Sequence, residues 1–152
     1  MTQGAISKRV VVDRFALISD LLREIRALPL QDSRAFLADR RNVWAAESCV
    51  RRSLEALFDL GRHILAKGYG LGVSEYKEIA MRLKTQGVLS EDEATMLHLL
   101  AGYRNRLVHF YHEVSAEELY QICSQQLSDI ELVQDAYRRW LHTHPEKLDQ
   151  AL

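Results

Sequence analysis

Apolar positions recur at steps of three and four residues along most of the chain, which is the period of an amphipathic α-helix. One such stripe covers residues 6–28, and Pro29 ends it. A longer stripe covers about residues 32–66 and ends at a glycine-rich turn, residues 68–72. No stretch alternates between apolar and polar residues like a strand bounded by hairpin turns. The first half of the chain is therefore predicted to form two helices.

The second half is predicted to form three more helices. A short one fits residues 74–85. Residues 90–93 and 115–118 each have the spacing of a capping box, in which a serine and a glutamate satisfy the first amides of a helix. Apolar positions at helical spacing follow both boxes, and the second run continues to about residue 140. We therefore expect an all-α fold, an antiparallel bundle of about five helices.

Composition supports one domain over residues 1–152, with a tail that frays from about residue 142. The 47% hydrophobic content and the net charge of -1 exclude a disordered chain. No apolar run approaches the roughly 18 residues of a membrane span, and the two cysteines form no CxxC pattern, so we expect a cytoplasmic protein. The near-neutral charge also excludes a general polyanion binder, so nucleic acid would have to contact a local patch.

The length of the second predicted helix indicates association between chains. A helix of roughly 30 residues spans about 45 Å, which is longer than a compact domain of this size needs. Its surplus apolar face could pack against a second copy. We therefore expect a homodimer.

Residues 103–113 carry the most informative chemistry, because two arginines, one asparagine, two histidines and two tyrosines occur there together. At about 100° per residue, Arg104 and Tyr111 share a face of an ideal helix, whereas His109 points away from that face. Either the helix loosens near Val108 or the histidine faces a neighbouring groove.

These residue types suit the cleavage of RNA. Histidine, with an ordinary pKa of about 6.5, can move the protons of the 2′-hydroxyl and of the leaving oxygen. Arginine stays charged and binds phosphate oxygens with a planar fork. One such pair per chain is half of a site with two histidines, and a symmetric dimer would supply the other half. The spacing alone occurs in many helices and favours a structural arginine and a surface histidine.

The segment from Arg104 to Tyr111 resembles the Arg-x4-His-x-Tyr signature of HepT-like toxins, members of the HEPN ribonuclease superfamily encoded beside MntA-type minimal nucleotidyltransferase antitoxins. The resemblance extends over about residues 36–141 and departs from the family pattern at Ser48, where many relatives carry arginine. It includes the family's Glu-x7-Glu-x3-Asp-x3-His pattern, which here is Glu47, Glu55, Asp59 and His63.

The resemblance implies a HEPN-like helical bundle that dimerises through its long helices and cleaves transfer RNA or messenger RNA without a metal or cofactor. In the matching positions, Arg104 stabilises the phosphate charge, His109 transfers protons and Asn105 supports them. Tyr111 matches the tyrosine that the antitoxin adenylylates, which would silence the toxin by adding phosphate charge beside the RNA site. Together these features predict the toxin of a type VII toxin–antitoxin system.

Other interpretations remain open. HEPN domains also serve as non-catalytic partners that present substrate or nucleotide to an adjoining nucleotidyltransferase. The acidic residues of the long helix could form ordinary ion pairs with neighbouring arginines, a role we favour over catalysis; the residues concerned are Glu47, Glu55, Asp59, Arg51, Arg52 and Arg62. His109, His112 and Glu113 lack a second ligand cluster, so we predict no metal site. Trp44 and Trp140 are predicted to be packing residues.

Overall fold

Seven α-helices form the fold of the computed structural model, which describes residues 5–109 and 111–150. No β-strand occurs in these ranges, so the all-α prediction is confirmed. The helices are α1 (Lys8–Arg26), α2 (Ser33–Ala38), α3 (Arg40–Tyr69), α4 (Tyr76–Thr85), α5 (Glu91–His109), α6 (Ala116–Gln125) and α7 (Leu127–Thr143). Two short 3₁₀ turns follow α5 and α7, at Tyr111–Glu113 and Pro145–Lys147.

Two helices that the sequence predicted as continuous are each divided. Asp39 has an extended backbone (φ -122°, ψ 112°), and its carboxylate accepts a hydrogen bond from the Arg41 amide at 2.9 Å, so it ends α2 and caps α3. Gln126 leaves the helical conformation (φ -121°, ψ 5°) and separates α6 from α7. The prediction of a continuous helix is wrong at both places, because the local backbone interrupts an apolar period that continues on either side.

The long helix α3 lies at the centre of the bundle and contacts all six other α-helices. Its inner face is fully buried at Leu57, Phe58, Leu60 and Ile64. Gly61 lies on the same face, where an added Cβ would come within 2.6 Å of the Tyr137 hydroxyl of α7. A larger residue there would push the two helices apart. The core therefore fixes α3 as the frame against which the other helices are placed.

The C-terminal segment is bonded to the start of the chain rather than frayed. The amide of Ile6 donates to the Lys147 carbonyl at 2.9 Å, and the amide of Asp149 donates to the Ile6 carbonyl at 2.9 Å. The Lys147 ammonium also donates to the Gly68 carbonyl at 2.9 Å, at the end of α3. Over residues 142–150 the structure therefore shows a tail that is bonded to the N-terminal segment in place of the expected fraying.

None of the helices within residues 5–109 and 111–150 is both long enough and apolar enough to cross a membrane.

His63 secures the start of α1. Its Nε2 accepts a hydrogen bond from the Ser7 amide at 2.9 Å, a bond that requires the uncharged ring. Burial, followed by the nearby charges of Lys67 and Arg14, lowers the pKa of His63, while Asp149 acts in the opposite direction. The last histidine of the acidic pattern in α3 thus has a structural partner.

We expect the free energy of unfolding to fall as the pH is lowered from about 7 to about 5. The unfolded histidine takes up a proton near its ordinary pKa of about 6.5, whereas the folded one resists it, so stability is present above that pH and lost below it. Urea titrations at several pH values measure the effect. The fall should be smaller in His63→Gln and undiminished in the control His142→Gln, which changes an exposed histidine. An equal fall in wild type and His63→Gln would contradict this assignment.

Candidate functional site

A cavity of about 290 Å³ lies between the start of α4 and the end of α5. Its lining residues are Ser74, Glu75, Tyr76, Lys77, Arg104, Asn105 and His109. Three of the four site residues predicted from the sequence, Arg104, Asn105 and His109, therefore line one cavity. All three come from α5, and the other lining residues come from α4 and the segment before it. Of the two alternatives for His109, the structure has the second: α5 stays helical through His109, and this residue faces the groove beside α4.

Arg104 is held mainly by an aromatic ring. Its guanidinium carbon lies 4.0 Å from the centroid of the Tyr76 ring, a cation–π contact. Its Nη1 donates to the Asn105 side-chain oxygen at 3.4 Å, a long hydrogen bond. Its Nε is buried and has no hydrogen-bond partner among the described residues. Within that part of the chain no carboxylate pairs with Arg104, so its charge remains available to an anion.

A second arginine, Arg62 of α3, reaches the other side of this region. Its Nε donates to the Val73 carbonyl at 3.1 Å and its Nη2 to the Ser74 carbonyl at 3.3 Å. Its guanidinium carbon lies 5.5 Å from the centroid of the Tyr76 ring. Arg62 therefore ties the segment before α4 to α3.

Two of the three acidic residues of α3, Glu55 and Asp59, form ion pairs with neighbouring arginines. Glu55 pairs with Arg51 at 3.3 Å, and Asp59 pairs with Arg62 at 3.4 Å and with Arg14 at 3.9 Å. These groups are partly exposed, so each pair contributes little to stability by itself. For Glu55 and Asp59, the interpretation as helix ion pairs is confirmed.

Arg106 differs from Arg104 because a carboxylate neutralises it. It donates two hydrogen bonds to Glu118 of α6, at 2.5 and 2.8 Å. This pairing lowers the pKa of Glu118 and raises that of Arg106. The bridge spans the turn between α5 and α6, so the second arginine of the motif region holds that turn closed.

Tyr111 is the first residue of the 3₁₀ turn after α5 and does not line the cavity. Its side chain is 62% exposed, and its ring meets the His112 ring edge-on with centroids 5.9 Å apart. Arg104 and Tyr111 would share a face of an ideal helix, but α5 ends at His109, before Tyr111. Phe110, between the two, lies outside the described residues.

Two further predictions concern metals and tryptophans. The described residues contain no group of three or more histidine, cysteine, aspartate or glutamate side chains placed to hold a metal ion. Trp140 is buried against Tyr69 and His144, as predicted for a packing residue. Trp44 is 62% exposed at the start of α3, so the described part of this chain does not bury it.

The sequence did not single out Arg62 or Tyr76 as site residues. Arg62 stood out only as a partner for acidic neighbours, and Tyr76 only as part of a family-like helix. No local signal distinguishes them, because their common neighbourhood exists only after α3, α4 and α5 pack together. Correlated substitutions at these two positions, read from an alignment of related sequences, are the signal that could have found them.

Solved structures share the fold over most of the chain. A tri-AMPylated HEPN toxin from Shewanella oneidensis, in complex with an MNT antitoxin, is 19% identical with a TM-score of 0.76, covering 86% of this chain and 97% of that one. The cytosolic protein of unknown function YutE from Bacillus subtilis is 18% identical with a TM-score of 0.77, covering 95% and 98%. A toxin–antitoxin structure with AMP-PNP is 19% identical with a TM-score of 0.75, covering 84% and 97%.

At these identities the structures establish the shared fold alone. No curated protein matches the sequence. The family comparison is more specific: the family model described as ribonuclease HepT-like matches residues 18–136, which is most of the chain and includes α3, α4, α5 and the cavity between the last two. The protein therefore belongs to the HepT-like family.

Proposed function

We propose that this protein is the toxin of a type VII toxin–antitoxin system and that it cleaves transfer RNA or messenger RNA in the cytoplasm without a metal ion. The observation that carries the proposal is the common cavity of Arg104, Asn105 and His109. A guanidinium that pairs with no carboxylate of the described residues, and an imidazole on the same surface, are groups that phosphodiester cleavage uses. Membership of a family described as ribonucleases supports the same activity.

In the proposed reaction, the 2′-oxygen of a ribose attacks the adjacent phosphorus and the bond to the 5′-oxygen breaks. His109 transfers protons, either from the 2′-hydroxyl or to the leaving oxygen. Arg104 stabilises the charge that develops on the phosphorus-bound oxygens. Asn105 supports Arg104 through the hydrogen bond between their side chains. Because one chain offers one such histidine, a second copy would supply the other proton-transfer group.

The proposal extends to an adenylylated Tyr111. In that reaction the phenolic oxygen attacks the α-phosphorus of ATP, its proton is lost and pyrophosphate leaves. The side chain is largely exposed on the turn that follows the cavity helix, so a partner enzyme can reach it. A solved relative described as a tri-AMPylated HEPN toxin bound to an MNT antitoxin supports a nucleotidyltransferase as that partner. The added phosphate charge would repel RNA near the cavity.

We further propose that two copies associate through their long helices. Trp44 of α3 exposes a large apolar surface that the rest of the described chain does not cover. A contact between the long helices of two copies would cover this side chain.

Replacing Arg104 or His109 with alanine should lower RNA cleavage by the purified protein at least about 100-fold, because each change removes transition-state stabilisation or proton transfer. Denaturing gels with labelled transfer RNA and messenger RNA measure the cleavage, and growth arrest provides a second readout. The exposed residues Arg40 and His142 offer controls, and Arg40→Ala and His142→Ala should cleave like wild type. Cleavage unchanged in both site variants would contradict the ribonuclease proposal and favour the non-catalytic HEPN partner.

Co-expression with the nucleotidyltransferase encoded beside this protein should add the mass of one or more adenylyl groups, located at Tyr111 by tandem mass spectrometry. Tyr111→Phe removes the nucleophilic oxygen and should keep the unmodified mass. The control Tyr103→Phe changes a less exposed tyrosine and should still be modified. An unmodified wild-type mass, or equal modification of Tyr111→Phe, would contradict the assignment.

Sedimentation velocity at micromolar concentration should give the mass of two chains. Trp44→Glu places a charge on the proposed interface and should shift the protein to one chain. Leu132→Glu changes an exposed apolar residue of α7 and should leave the dimer intact. A wild-type protein that sediments as one chain at all concentrations would contradict dimerisation.

A further inference from the structure

We propose that Tyr76 is a positioning residue for Arg104, with its aromatic ring orienting the guanidinium, and that Arg62 anchors Tyr76. The proposal rests on the proposed ribonuclease function of the same cavity. Tyr76 is the first residue of α4, and Arg104 lies near the end of α5, so their contact joins the two helices that line the cavity.

Arg106 and Arg104 are held in place by different kinds of contact. Arg106 is fixed by two short hydrogen bonds to Glu118, and the carboxylate neutralises its charge. Arg104 instead has a ring centroid 4.0 Å from its guanidinium carbon. A ring orients a cation without contributing a negative charge and without occupying its N–H groups. Holding an arginine in this way adds no negative charge beside it, so the charge of the guanidinium can act on a phosphate.

The remaining contacts restrain the Arg104 side chain only weakly. Its hydrogen bond to Asn105 is 3.4 Å long, and its buried Nε has no hydrogen-bond partner in the part of the chain that is described. The ring of Tyr76 is therefore the contact that most restricts the orientation of the guanidinium.

Tyr76 is itself held by contacts with two residues of α3. Its ring meets the buried Phe58 ring edge-on, with centroids 4.9 Å apart and an interplanar angle of 88°. The guanidinium carbon of Arg62 lies 5.5 Å from the centroid of the Tyr76 ring. Arg62 also donates hydrogen bonds to the carbonyls of Val73 and Ser74, which hold the backbone that leads into α4. Contacts thus run from α3 through Arg62 and Tyr76 to Arg104. Stabilisation of a transition state depends on such prior orientation.

The test compares the kinetics of RNA cleavage among variants of the full chain. Tyr76→Leu keeps an apolar side chain but removes the ring, so we expect kcat to fall about tenfold, with KM within about twofold. Tyr76→Phe keeps the ring and should restore kcat to within about twofold of wild type. This separation of kcat from KM, and the rescue by phenylalanine, distinguish positioning of Arg104 from a general structural role.

Tyr69 provides a matched control. The Lys147 ammonium lies 4.3 Å from its ring centroid, and the Trp140 ring lies 6.1 Å from it. Tyr76→Leu removes two cation–π contacts and one aromatic pair. Tyr69→Leu removes one cation–π contact, one aromatic pair and the 3.4 Å hydrogen bond from its hydroxyl to the Gln86 carbonyl, and Tyr69 does not line the cavity. This control variant should lower the melting temperature about as much as Tyr76→Leu does, while leaving kcat unchanged.

A spectroscopic readout tests the contact without relying on activity. In ¹H–¹⁵N spectra of the Arg104 Nε–H group, the ring current of Tyr76 should shift the proton signal to lower frequency. The shift should persist in Tyr76→Phe and disappear in Tyr76→Leu.

Three results would overturn the proposal: equal losses of kcat in Tyr76→Leu and Tyr69→Leu, a wild-type kcat in Tyr76→Leu, or an Arg104 signal that Tyr76→Leu leaves unmoved. Failure of the proposed function gives a different result, because cleavage would then be absent in wild type or unchanged in Arg104→Ala. In that case the Arg104 signal alone decides whether Tyr76 orients this arginine.

Discussion

The contact between the Arg104 guanidinium and the Tyr76 ring is the interaction on which the candidate site depends. It places a positive charge at a cavity wall and pairs it with no carboxylate of the described residues, although Glu75 also lines the cavity. A carboxylate in the place of this ring would hold the arginine more firmly but would compete with any phosphate for the same donors. The ring therefore resolves a conflict between fixing the arginine and leaving its charge available.

The rest of the fold supplies the rigidity that this contact needs. The central helix α3 buries one face against the other helices and uses Phe58 and Arg62 to hold the start of α4. At the other end of the site, α5 stops at His109, and the Arg106–Glu118 bridge closes the turn that leads to α6. Tyr111 consequently lies on an exposed turn beside the cavity helix.

Whether the sequence predicts a feature of this structure depends on whether the interacting residues are near or far apart along the chain. Local interactions were predictable: the Ser90–Glu93 box forms in full, and the Ser115 hydroxyl accepts from the Glu118 amide at the start of α6. The second box is only half formed, because the Glu118 carboxylate pairs with Arg106 instead of returning to the Ser115 amide. Breaks at Asp39 and Gln126 were not, because the apolar period continues across them. Arg104, Asn105 and His109 were identified through a family signature, since their spacing alone fits an ordinary helix. Tyr76 was missed because its contact with Arg104 arises only from packing between α4 and α5.

A crystal structure with an RNA oligonucleotide whose 2′-hydroxyl at the cleavage position is replaced by hydrogen tests the central claim most directly. Such an RNA binds like the substrate but lacks the oxygen that attacks. The account predicts a phosphate in the cavity between α4 and α5, within hydrogen-bond distance of the Arg104 guanidinium and beside the His109 ring. RNA bound elsewhere on the protein, with no phosphate at Arg104, would contradict it.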